Sequence, residues 1–188
     1  MTTDVNGWVE WRWNEADDEW TGVIKIGMIV AGNYDMYGCL FGVRNYTGFR
    51  PVAYNRGLPT NASDETKAEY TQYGTEAFSP SWIAWPEIAA IDWSEEALDY
   101  RVYHYKRYDN GQVVYQQMKS LTRNHPRFED MYEGMMWEEG DTVYKVQSIR
   151  KQTILDILPG WQLIFEMMAV MAMRYGNENV RLVVWFSD

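Results

Sequence analysis

A single cysteine, Cys39, stands in this chain of 188 residues, which excludes an internal disulfide and a cysteine-rich metal site. It lies in an apolar helical run and is expected to be a buried structural thiol, not a nucleophile. Histidine is nearly as scarce. His104 and His125 have no second histidine at ligand spacing, and each reads as a surface or hairpin residue. G-x-x-x-x-G-K-[ST], G-x-G-x-x-G after a strand and G-x-S-x-G are all missing. Phosphate-loop, dinucleotide and serine-hydrolase chemistry therefore lose their usual sequence support. No long apolar run occurs either: Trp161 to Met173 contains Glu166 and follows Pro159-Gly160, so it is too short for a bilayer and predicts a buried helix. The start, Met1-Thr2-Thr3-Asp4, has no basic or apolar stretch of a secretory signal, and a cytoplasmic location is expected.

One further absence is local. From Met36 to Ser63 there is no Asp or Glu, in a chain whose formal net charge is -10. The same stretch holds Arg44, Arg50 and Arg56, evenly spaced. Charge is uneven elsewhere too. Residues 1–35 carry seven acids against two bases, 64–100 nine against one, and 129–141 six against none. A second basic island, 101–128, has six Lys or Arg against Asp109 alone. The global negative charge disfavours nucleic-acid polymers as partners. A small anion in a concave site instead feels its near neighbours, because charges beyond about 8 Å are screened at physiological salt.

What is abundant is apolar and aromatic. Hydrophobic residues make up 46% and aromatic residues 16% of the chain, enough for a core within one domain spanning 1–188. Ten Trp and fourteen Tyr exceed what such a core fully buries, so some rings are expected at a pocket or interface.

Alternation predicts strands at 7–13 and 23–29 around an acidic turn, and helical spacing predicts a helix at 34–43 with Asn33 as its cap. A long loop over 44–61 is unusual in a compact domain, and such loops are often functional. Ser63 opens a short polar helix, and Ser81 to Ile88 reads as a strand running into a helix with Pro86 in its first turn. Asp109-Asn110-Gly111 turns a hairpin between 101–108 and 112–118. A helix is predicted over 128–141, a strand over 142–149, the apolar helix over 161–175 and a final strand over 179–186. This order implies α+β, a mostly antiparallel sheet packed against a buried C-terminal helix.

Several blocks carry a resemblance: Tyr34-Asp35-Met36-Tyr37 with Leu40-Phe41-Gly42-Val43-Arg44-Asn45, then Arg56-Gly57-Leu58-Pro59, Ser81 to Ile88 with Asp92-Trp93, and Asn179 to Phe186. In these the chain resembles an uncharacterised group of small phage and actinobacterial proteins, with no similarity through 103–157. The resemblance implies a phage-associated origin, and small phage proteins without catalytic motifs often act against host defences.

The expected function is a non-enzymatic binding protein, a homo-oligomer without metal or cofactor, that sequesters a small nucleotide-derived anion such as a host immune signal. Arg44, Arg50 and Arg56 would meet phosphate, because the guanidinium fork matches its oxygens. Asn45 would bond base or ribose, and Tyr34, Trp82 or Trp85 would stack. The same arginines could instead pair with neighbouring acids and only hold loops. Two other functions stay open: an acidic, Trp-rich inhibitor of a host protein, and a hydrolase of a cyclic nucleotide.

Overall fold

The computed structural model describes residues 2–120 and 130–188. The chain is α+β, built on two four-stranded antiparallel sheets where alternation alone suggested one. The first has the order β2-β1-β8-β3, from β1 (Asp4–Trp11), β2 (Thr21–Lys25), β3 (Phe78–Ala84) and β8 (Val180–Ser187). The second has the order β5-β4-β7-β6, from β4 (Arg101–Arg107), β5 (Val113–Ser120), β6 (Met136–Glu139) and β7 (Thr142–Gln147).

Strand β8 explains the first sheet. Its residues Val180 to Phe186 are all buried, because both faces of the strand are covered. Val180, Leu182, Val184 and Phe186 enter the main core, where Phe186 meets the rings of Tyr37 and Phe41 on α1 (Tyr34–Phe41). Arg181, Val183 and Trp185 face the other way, and Trp185 packs edge-on against Tyr70 and Tyr73 of α2 (Asp64–Tyr73). A strand covered on both faces reads as one apolar run, so its lone charge, Arg181, must be matched inside the protein.

Local signals set the helices. The Asn33 side chain accepts from Met36 N–H to start α1, and Ser63 accepts from Thr66 N–H to start α2. Helix α1 stops at Gly42, whose φ of +74° is the left-handed C-cap geometry. α3 (Trp85–Ala89) follows β3 directly, with Pro86 in its first turn. α5 (Pro159–Tyr175) buries Trp161, Ile164, Phe165 and Met168 on one face.

Two departures stand out. The segment 128–141, where composition predicts a helix, forms turns and the short strand β6 among its described residues. Met136 to Glu139 pair with Thr142 to Lys145, a tight hairpin around Gly140 (φ +62°), and the pairing overrides the weak local preference. A short helix, α4 (Lys151–Asp156), also occupies a stretch with no clear period. It brings the buried Lys151 ammonium to Glu95, 2.8 Å away. The second sheet is held by a buried pair as well: Arg101 of β4 donates to Asp35 of α1, which also accepts from Thr47 Oγ1. Among the described residues no helix is long and apolar enough to cross a membrane.

Candidate functional site

The acid-free loop lies along the outer edge of β3. Ser81 Oγ donates to the Ala53 carbonyl at 2.5 Å, and Gly57 N–H donates to the Pro80 carbonyl. Its start is tied by Asn45, whose amide nitrogen donates to the Phe49 carbonyl and whose oxygen accepts from Phe49 N–H. Both ends of that side chain are therefore engaged in closing a turn.

The three loop arginines do not converge. Arg44 reaches Asp188 at 2.7 Å and Thr3 Oγ1 at 3.0 Å. Arg56 grips Glu87 with two bonds of 2.8 and 2.6 Å and also donates to the carbonyls of Trp82 and Val52. Arg50 is exposed, and its guanidinium has no partner among the described residues. Tyr34 accepts from Thr3 N–H beside Tyr46, and Trp85 is half-buried against the core. Of the seven residues singled out by sequence, Arg56 and Trp82 share a cavity.

That cavity, of about 520 Å³, is also lined by Arg12, Trp20 and Arg181, none of them marked by loop composition, and by one acid, Glu178. It opens on the sheet face that carries α2, next to that helix's N-terminal end. Arg181 on β8 lies opposite Glu10 on β1, and its Nε donates to Glu10 Oε2 at 2.7 Å. The other Glu10 oxygen accepts from Ser63 N–H and Thr66 Oγ1 at 2.8 and 2.6 Å, so one buried carboxylate also caps α2. Burial pulls the Arg181 guanidinium below its ordinary value, with Glu10 opposing. Arg12, just past β1, bonds to Asn179 Oδ1 and to the carbonyls of Asp17 and Glu178, and has no carboxylate partner among the described residues.

The rings organise these cations. Arg181 and Arg12 sit 3.8 and 4.8 Å from the Trp20 ring centre, and Arg56 sits 5.1 Å from that of Trp82. A guanidinium over an indole is drawn to the ring's negative face. Trp20 thus pins two cations side by side, and its own buried N–H has no acceptor among the described residues. Two sequence signals could have marked the site: a single Arg in the apolar strand 180–186, and Arg12 set between Trp11 and Trp13.

A second cavity of about 430 Å³ lies at the other end of the loop, lined by Arg44, Tyr54, Asn55, Ser79 and Asp188. Arg44, Asn55 and Ser79 have φ of 50°, 46° and 47°, and they are the only non-glycine residues with positive φ among those described. Such backbone costs about 1–2 kcal/mol per residue and gathers where surrounding structure over-determines it. Elsewhere, burial pushes the Cys39 thiol up to about 12, leaving it inert at neutral pH. His104 packs edge-on against Tyr144, while His125 lies outside the described residues. Among the described residues no three His, Cys, Asp or Glu side chains gather as a metal site.

The loop's ion pairs make stability pH-dependent. The Arg56 hydrogen bond holds Glu87 below the usual carboxylate range, and the Thr3 hydroxyl followed by Arg44 does the same for Asp188. An acid with a depressed folded-state pKa adds stability above its unfolded pKa and loses it as pH falls through the folded one. The thermal midpoint is expected to fall from about pH 5 towards pH 3, and less steeply in Arg56→Met. A midpoint that holds steady over that range rejects the assignment.

No protein-family model, curated protein or solved structure matches the chain, and its own geometry is what speaks to function.

Proposed function

We propose that this protein is a cytoplasmic binding protein for a small nucleotide-derived anion, acting by stoichiometric sequestration of a signal such as one used in host immunity. One observation carries the proposal: three guanidinium groups, Arg12, Arg56 and Arg181, meet two indoles, Trp20 and Trp82, around one cavity. Arg12 is the primary phosphate contact, because its charge is not cancelled by a carboxylate among the described residues. Both indoles carry a guanidinium, and the base stacks against the Arg56–Trp82 pair, since a guanidinium plane is itself a stacking surface. Arg56 and Arg181 keep their carboxylate partners, and their outer nitrogens stay bonded to the Trp82 and Val52 carbonyls and to Asn61, so they contribute positive charge to the cavity wall.

Calorimetric titration with mono-, di- and cyclic nucleotides tests this. Arg12→Ala is expected to weaken binding about 10- to 100-fold, the value of a charge-assisted hydrogen bond, while unfolding free energy moves by less than about 1 kcal/mol. Arg44→Ala, on the other cavity, leaves affinity unchanged. If no nucleotide binds below about 10 μM, the proposal is dropped. Recovering the ligand unchanged after denaturation separates sequestration from hydrolysis, which returns products.

A second function, blocking a host protein through an acidic surface, draws on one feature. Asp18, Glu19, Asp64 and Glu65 rim a cavity of about 420 Å³ on the far side of Trp20. A basic partner that binds when nucleotides do not would favour it.

A further inference from the structure

The outward face of α5 is apolar yet uncovered: Leu163, Val170 and Met173 are 45%, 61% and 80% exposed. With Ile24 of β2, Met167 and Met171, part of this face lines a groove of about 380 Å³. Surface helices of monomeric proteins normally turn such a stripe inward, and a contiguous exposed one marks an interaction site. Two charges border it, Glu166 and Arg174, and neither has an ion-pair partner among the described residues.

We propose that this face binds a second copy of the chain, with the two α5 helices packed antiparallel about a two-fold axis through Val170. The sequence of the face is self-complementary about that residue. A two-fold axis there sets each residue n positions before Val170 against the residue n positions after it on the other copy. Glu166 then meets Arg174 of the second copy, Met167 meets Met173, and Val170 meets itself. At 100° per residue, Glu166 and Arg174 each lie only about 40° from Val170, close enough to the seam for their long side chains to reach across it to the other copy. Both charges gain a partner in each of two equivalent places, and the apolar stripe is removed from water. A parallel arrangement would set Glu166 against Glu166 and leave both charges unmatched. The proposal does not depend on the nucleotide cavity, whose arginines lie on other elements.

Sedimentation velocity on the full chain over about 1–100 μM decides it, the range in which micromolar self-association is read. The wild type is expected to shift from monomer to dimer in that range. Val170→Glu, at an exposed position, should keep the wild-type circular dichroism and thermal midpoint and raise the dimer dissociation constant at least about tenfold. Glu166→Arg alone sets like charges together and weakens the dimer about fivefold, and Glu166→Arg with Arg174→Glu restores it. A wild type that stays monomeric overturns the proposal. A dimer indifferent to Val170→Glu, or a charge swap that fails to rescue, overturns it too. Co-sedimentation of a monomeric wild type with phosphatidylglycerol vesicles, lost in Val170→Glu, would assign the face to lipid instead.

Discussion

Glu10→Ala is expected to lower the free energy of unfolding by about 3–5 kcal/mol, the cost of leaving a buried charge without its partner. Glu10 is 0% exposed and accepts three hydrogen bonds, from Arg181 Nε, Ser63 N–H and Thr66 Oγ1. Truncation leaves the buried Arg181 guanidinium without a carboxylate, with Asn61 as its remaining hydrogen-bond partner, and removes the acceptor at the start of α2. For a chain of this length the thermal midpoint should drop by roughly 6–20 °C. Urea unfolding measures the change directly. A loss under about 1 kcal/mol would mean that water reaches Arg181 freely, and the site would then be an open surface. The double replacement Glu10→Leu with Arg181→Met separates fold from function. Matched apolar residues recover most of the lost stability. Nucleotide binding stays weaker than in the wild type, because the Arg181 cation is gone while Arg12 and Arg56 remain.

Asp35→Ala comes next in size, at about 3 kcal/mol, and its effect should be local as well as global. Asp35 accepts from Arg101 and from Thr47 Oγ1, both buried, and so joins α1 beneath the first sheet to β4 of the second. Without it the Arg101 charge is unmatched, and its Nε already lacks an acceptor among the described residues. Hydrogen exchange should therefore accelerate in β4 and β7 more than in β1 and β8, as the second sheet opens at lower free energy. Equal acceleration in both sheets would show that the pair does not act as a latch between them.

Much of the local structure was legible because its causes are local. Asn33 and Ser63 cap the helices their positions predict, Asp109-Asn110-Gly111 turns the hairpin, and Pro86 opens α3. The segment 130–141 was not, since β6 exists through pairing with β7 and its own residues carry little preference. The outer face of α5 was also hidden. Leu163, Val170 and Met173 look like core residues in a sequence, and their exposure depends on which side of the helix the sheet covers.

The candidate site divides the same way. Composition and spacing alone determined the α+β class, the helix caps, the absence of disulfide chemistry and the acid-free loop carrying Arg44, Arg50 and Arg56. Only the tertiary structure decided which carboxylates those arginines meet. Asp188 is 144 residues from Arg44, and Glu87 is 31 from Arg56. It also decided that Arg12 and Arg181 join Arg56 over Trp20 and Trp82. Charge pairing is a property of distance in space, and strand register, which set Glu10 against Arg181, is chosen by the burial of both faces of β8.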